Sequence, residues 1–441
     1  MPEQTQAQAC EQAAADRVAG AGGQLPALSL WRSRDYLYLW TGDAISSLGN
    51  SMSAIAYPLL ILFATGSVAK AGLITSAGLF GGLITTLWGG ALADRISRRA
   101  LLVVSPLVQG AAVGTVAVFV ARGHEPMTLL VTAAGVGGLA GGFRMGARTP
   151  AMRRIVPKEQ MAVASSQVQG RDMAAQLFGS PLGGFLFTIA RWLPFGADAV
   201  SYLFASLGAA LIRRPLGPEA AERQRSTVLA DIGAGIRFVR AVPFLRFLAI
   251  WAPAVNLIGN GFFLLFIAIL KYRGASATTI GFASSIALVG GVTGAVVGPL
   301  LLRRLRAKVI FLTGGWILAG SILLTAVLPA PWQIGLGIFL VMLVIVPLNA
   351  ALDAYEVRIV PDAYSGRVSS AMSFGASALM WAGPLLAGVL ADAFGPLRAA
   401  VIFGLAVIPL ALAAHFARAL DLLNTPVGEV EEYPVPAAAA S

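Results

Sequence analysis

Twelve mostly apolar stretches follow one another along this chain, at about 36–64, 71–93, 100–121, 127–147, 161–189, 193–212, 244–270, 277–302, 308–328, 332–356, 366–391 and 396–417. A helix needs about 20 such residues to cross the hydrocarbon core of a bilayer, so each stretch reads as a transmembrane helix. Composition agrees. Of 441 residues 57% are hydrophobic and only 12% charged, with mean hydropathy +0.76, against roughly 25% charged in soluble domains. Small residues recur at helix-contact spacing, as in Gly78, Gly81 and Gly82 or Gly138, Gly141 and Gly142, which lets helices approach closely in lipid. The expected fold is an all-α integral membrane protein.

The twelve stretches divide into two related sets. Arg154-Ile155-Val156-Pro157 returns 204 positions later as Arg358-Ile359-Val360-Pro361, each copy just before a long apolar stretch. At the same offset Ser165-Ser166 falls on Ser369-Ser370, and Gly179 to Gly184 falls on Gly383 to Gly388. Parallel repeats of this kind belong to secondary transporters, whose substrate site lies near the midplane between the repeats. Two pseudo-symmetric six-helix bundles are therefore expected.

Basic residues set the orientation. Cytoplasmic loops carry the excess of Lys and Arg, and of the 32 in this chain 24 fall at one end of the spans and 6 at the other. Both termini are thereby assigned to the cytoplasm. The +11 net charge follows from these short clusters, so no nucleic-acid partner is expected. The longest polar connection separates six spans from six. The division expected is a disordered cytoplasmic tail over 1–35, an N-terminal bundle over 36–213, a linker over 214–242, a C-terminal bundle over 243–418 and a second tail over 419–441. Within the linker Ile232, Ile236, Phe238 and Val239 oppose Arg237 and Arg240, as in an interfacial helix. Residues 1–30 hold no apolar signal-peptide core, and the lone Cys10 permits no intrachain disulfide.

Between the second and third stretches, Gly90, Asp94, Arg95, Arg98 and Arg99 resemble the signature loop of the major facilitator superfamily, G-x-x-x-D-R-x-G-R-R, with Ser97 where that family has glycine. The six-plus-six layout resembles the family over nearly the whole chain. Finer matches point to its drug and siderophore efflux branch, which contains macrolide-efflux proteins and the enterobactin exporter. They are Leu39-Trp40 with Gly42, Tyr57-Pro58-Leu59, Arg154 to Pro157, and Asp198 with Ser201-Tyr202. The efflux motif G-P-x-x-G-G stands here as Gly179, Pro181, Gly183 and Gly184, with proline one place late. The resemblance implies a cytoplasmic gate of Asp94, Arg95 and Arg99, with Arg148 as a partner. It also implies a cavity lined by the first, fourth, seventh and tenth spans, where Ser46 and Asn50 face Asn256 and Asn260.

Ionisable residues deep in the apolar stretches are functional candidates because burying them costs at least about 2.5 to 3.5 kcal/mol. Asp43 leads the proton-coupling candidates, its alternative being a structural ion pair. Arg171 and Asp172 are adjacent, point about 100° apart and are expected to find partners on other helices rather than each other. Asp198, at the start of its stretch, reads as a helix cap. Asn349, Asp353 and Glu356 share a helix face and suit either a vestibule wall or a gate. Phe262, Phe263 and Phe266 read as core or lipid-facing.

The resulting expectation is a multi-pass cell-membrane transporter, monomeric and without cofactor or metal. It exports amphipathic small molecules by alternating access in exchange for protons. Coupling falls to Asp43, Asp172, Asp353 and Glu356, and substrate to Ser46, Asn50, Arg171, Asn256, Asn260 and Asn349. An importer, or a lipid or lysophospholipid transporter, on the same scaffold is the alternative. With His124, His415 and Cys10 the only histidines and cysteine, no His- or Cys-based catalytic arrangement is expected. No P-loop signature is present, so an ion gradient is the expected energy source.

Overall fold

The computed structural model describes residues 27–93, 97–216 and 228–434, and these are helical with no strands. In chain order the helices are α1 (Arg34–Thr65), α2 (Val68–Ala93), α3 (Arg98–Ala121), α4 (Met127–Ile155), α5 (Met161–Ile189) and α6 (Leu193–Leu211). After the amphipathic α7 (Val228–Ala241) come α8 (Pro243–Tyr272), α9 (Ala277–Arg304), α10 (Ala307–Val327), α11 (Pro331–Ile359), α12 (Asp362–Ser377), α13 (Ala382–Phe394) and α14 (Pro396–Phe416). Ten segments among the described residues are long and apolar enough to cross a membrane, α12 and α13 counting as one. The polar-bearing α5 and the 19-residue α6 complete twelve.

Local chemistry fixes where these helices begin and end. Ser33 caps α1 by accepting the Tyr36 N–H, and Gly66 ends it in a left-handed conformation, φ +72°, as helix C-termini favour. The eleventh span, expected as one helix, is broken between Ser377 and Ala382. Pro384 has no N–H for the carbonyl of residue 380 and crowds it. In the first repeat Pro181 lies inside an unbroken α5.

With twelve crossings the start of α1 and the end of α14 lie on one side, here called the terminal side. Three apolar cores reveal how the halves meet. One core joins both halves, holding Ile55 to Leu62 of α1 together with Ile258 to Leu270 of α8, segments nearer the opposite, far side. On the terminal side each half keeps its own core, around Tyr36, Leu101 and Ile155 in the first and around Phe244, Phe311 and Tyr355 in the second. The halves are sealed together at one side and separate at the other.

The far-side seam follows the repeat. α5 packs on the start of α9, and α13 packs on the start of α2. Gly184 and Gly388, 204 positions apart, hold equivalent places in these two contacts. A Cβ on Gly184 would lie 2.4 Å from the Ala277 carbonyl oxygen, and one on Gly388 would lie 2.6 Å from Ala69 Cα. Neither position has room for a side chain. Thr188 and Thr278 share a hydrogen bond of 2.9 Å across the first contact.

Two polar segments outside the spans take ordered places. α7 forms, with Phe238 and Val239 of its apolar face packed on protein while Ile236 is exposed. Phe238 is buried and stacked on Tyr364 of α12, while Arg237 and Arg240 remain exposed. Residues 419–434, expected as disordered tail, pack on the second half because Leu420, Leu423 and Val430 supply apolar anchors. Tyr355 donates to the Thr425 carbonyl at 2.6 Å, Arg358 to that of Val430 at 3.0 Å, and Lys308 pairs with Asp421 at 2.6 Å.

Candidate functional site

Where the halves diverge, a cavity of about 560 Å³ opens between α1, α5, α8, α9 and α11. Its walls differ. The first half contributes mainly polar groups, Ser47, Asn50, Ser51, Asp172, Gln176 and Ser180, softened by Ala54 and Ile55. Apart from Ser284, the second half contributes apolar ones, Phe263, Ala287, Leu288, Ile338 and Met342. Of Phe262, Phe263 and Phe266 in α8, the first and last are core and Phe263 reaches the cavity.

Five charges gather at the polar wall. Asp43, buried in α1, has the guanidinium of Arg144 hydrogen-bonded to one oxygen, with Arg148 Nε at 3.0 Å and Arg171 Nη1 at 3.6 Å from the other. Asp172 faces the cavity and receives Arg171 Nη2 at 2.7 Å and Ser47 Oγ at 3.0 Å. Arg148 Nη2 lies 3.6 Å from it, so Arg148 bridges the two acids. Three guanidiniums over two carboxylates leave an excess of one positive charge. Such a group tolerates burial only while it is complete, because removing one partner exposes an uncompensated charge to low dielectric.

Each candidate residue can now be located. Asp43, Arg171, Asp172 and Arg148 meet in the cluster, and Ser46 accepts from Arg144 at 3.0 Å. Asn50 lines both the central cavity and a smaller one of about 180 Å³ beside Arg144. Its Oδ1 accepts from Tyr202 at 3.4 Å. Asn256 instead donates to the Ala376 carbonyl at 3.0 Å, and Asn260 to that of Asn256 at 2.9 Å; neither lines the cavity. Asn349 is exposed on α11. Asp353 lines a terminal-side cleft with Arg358, Glu431 and Glu432, and half-buried Glu356 lies one turn further along the same helix. Arg99 donates to the Ala210 carbonyl. Asp94 and Arg95 lie outside the described residues.

Two readings are overturned. Arg171 and Asp172 do pair with each other, since the long arginine side chain folds back although the two Cβ directions diverge. Asp198 is not a cap. It stands inside α6, 1% exposed, accepting from Ser201 Oγ at 3.2 Å. Arg144 is the site residue that the sequence does not single out, because a basic residue near the end of a span equally suits the orientation of the chain. Its place four residues before Arg148, one helical turn away in a glycine-rich helix, was the available signal. Gln109, joined to Tyr202 at 3.2 Å behind Asn50, carries no comparable mark, whereas Tyr202 stands in the family match.

Comparison with known proteins supplies the family. The sequence profile described as Major Facilitator Superfamily matches residues 39–384. The multidrug efflux pump Tap of Mycolicibacterium fortuitum is 28% identical over 402 residues, covering 86% of this chain and 95% of that protein. The protein of the same name from Mycobacterium tuberculosis is 26% identical over 367 residues, covering 80% and 85%. Among solved structures, the nucleoside transporter NupG superposes with TM-score 0.68 at 13% identity, covering 86% of this chain and 98% of that one. An inward-facing, unoccupied bacterial homologue of the lysosomal transporter Spinster gives TM-score 0.69 at 14%, covering 92% and 100%. Two packed sets of six spans around a central cavity and a profile match over most of the length agree: this chain is a multi-pass membrane transporter belonging to the Major Facilitator Superfamily.

Proposed function

We propose that this transporter exports amphipathic organic molecules from the cytoplasm across the cell membrane, by rocking the bundles 36–213 and 243–418 about the central cavity in exchange for protons. The carrying observation is the cavity's pair of unlike walls. A ligand with a polar end and an apolar body satisfies Asp172, Gln176 and Asn50 on one side and Phe263, Ile338 and Met342 on the other, the usual composition of a small-molecule site. The relatives named multidrug efflux pumps support the direction.

The terminal side is assigned to the cytoplasm because the Lys and Arg excess lies there. The conformation is then one in which the far side is sealed and substrate enters from within. In this reading Asp43 and its three arginines form the rigid base of the polar wall, while Asp172, linked to that base but facing the cavity, meets the substrate. Asn349, Asp353 and Glu356 act on the entry side, and Arg99 with Asp94 and Arg95 belongs to the gate.

The test is ethidium transport by the purified protein in liposomes carrying a pH gradient of either sign. Export by antiport requires accumulation on the side that is lower in pH, and abolition when the gradient is collapsed. Flux indifferent to the gradient, or movement only with the proton, contradicts the proposal.

A further inference from the structure

The charged cluster leaves one deeply buried acid of the first half unused. Asp198 of α6 is 1% exposed. Beyond its bonds within the Asp198–Ser201 turn it meets the Ser53 hydroxyl of α1, and among the described residues it makes no ion pair. The hydroxyl of Tyr57, also on α1, is buried without a partner among the described residues. Close approach is permitted by a missing side chain, for a Cβ on Gly49 would fall 2.8 Å from Asp198 Oδ1 and 2.2 Å from Ser201 Oγ.

Asp43 and Asp198 are therefore opposites. The first is surrounded by three guanidiniums; the second makes no ion pair among the described residues. Burying an unpaired carboxylate costs several kcal/mol, and the neutral acid avoids that cost. The charged and titratable groups acting on Asp198 are Tyr57 on α1, Tyr202 on its own helix and, more remotely, Arg144 on α4, while α3 presents the uncharged Gln109 to Tyr202. A polar route also exists. Gly49, against the acid, adjoins Asn50, which accepts from Tyr202 and lines the central cavity.

We propose that Asp198 is the residue that carries the exchanged proton, communicating with the cavity past Ser53, Tyr57, Tyr202 and Asn50. The assignment rests on the antiport reading and deepens it. In the conformation described the far side is sealed, so the acid holds its proton and can release it only toward the cavity. Release breaks the carboxyl O–H bond and passes H⁺ to solvent in the cavity; loading in the opposite conformation reverses this.

Infrared spectroscopy of the reconstituted protein tests the assignment without any substrate. A carbonyl stretch of a protonated carboxyl is expected at neutral pH, absent from Asp198→Asn and retained by Asp43→Asn. Asp198→Asn should also lose pH-gradient-driven ethidium accumulation while melting at the wild-type temperature, and Asp198→Glu should recover part of it. A carboxyl band unaffected by Asp198→Asn, or undiminished gradient-driven transport by that variant, overturns the proposal. Wild-type flux insensitive to the gradient would instead defeat the antiport reading, and the infrared result would still report whether Asp198 holds a proton.

Discussion

Asp392, near the end of α13, accepts the backbone N–H of Val68, the first residue of α2, at 2.7 Å. A carboxylate from the second half thus caps a helix of the first. The same carboxylate accepts Ser67 Oγ at 2.6 Å and the Ala69 N–H at 3.3 Å, so its negative charge meets the positive end of the α2 dipole. At offset 204 its counterpart is Thr188, which meets the start of α9 through Thr278. The two far-side latches are placed alike, and only one carries charge.

Replacing Asp392 by alanine should loosen the far-side closure. An acid at an exposed helix N-terminus contributes up to about 1 kcal/mol, so the ratio of sealed to open molecules should fall roughly fivefold. Modification of a cysteine placed at Ser51 in the cavity, by a membrane-impermeant reagent added from the far side, should quicken accordingly. An unchanged rate would show that the cap does not hold the seam.

Adding bulk to the seam should act in the same direction and more strongly. Gly388→Val and Gly184→Val force side chains into spaces occupied by Ala69 and Ala277, and overpacking of this kind costs about 1–3 kcal/mol. Both variants should favour the far-side-open form in the same cysteine assay. Valine at Gly320, where nothing lies within 4 Å, should have no such effect.

The cluster of Asp43 with Arg144, Arg148 and Arg171 predicts strong non-additivity. Asp43→Asn leaves buried guanidiniums uncompensated and should destabilise the protein by about 3–5 kcal/mol. Adding Arg148→Gln should recover part of the loss, because one stranded charge goes with it. Thermal unfolding in detergent measures both. Equal stability of the wild type and Asp43→Asn would mean that the cluster is not a structural base.

Phe263 supplies the aromatic surface of the apolar wall. Phe263→Ala should weaken ethidium binding by about 1–2 kcal/mol, roughly 5- to 30-fold in Kd, whereas Phe266→Ala, in the core, should chiefly lower stability. Fluorescence titration together with a melting curve separates the two. Equal effects of both substitutions on Kd would remove Phe263 from the cavity wall.

The spans and the repeat were legible because both are written in sequence-local terms, as apolar length and a recurring tetrapeptide. Asp43, Asn50 and Arg171 were legible because a polar side chain in an apolar run is conspicuous. Arg144 was not, since a basic residue near the end of a span looks identical whether it orients the chain or turns inward. Asp198 misled for a related reason: a position near the start of a stretch suggests a cap, and only the packing of α6 on Gly49 shows the acid enclosed. Asn256 and Asn260 matched their repeat partners in sequence but spend their amide donors on nearby carbonyls. Such choices depend on which helix lies alongside, which spacing within one helix does not encode.

The most direct measurement joins Thr188 to Thr278, whose hydroxyls lie 2.9 Å apart across the seam. In a Cys10→Ser background, a disulfide between Thr188→Cys and Thr278→Cys should form readily on oxidation, stop transport and release it on reduction, because the bundles must part there once in every cycle. Undiminished transport by the fully oxidised protein would contradict alternating access of the two halves about the cavity.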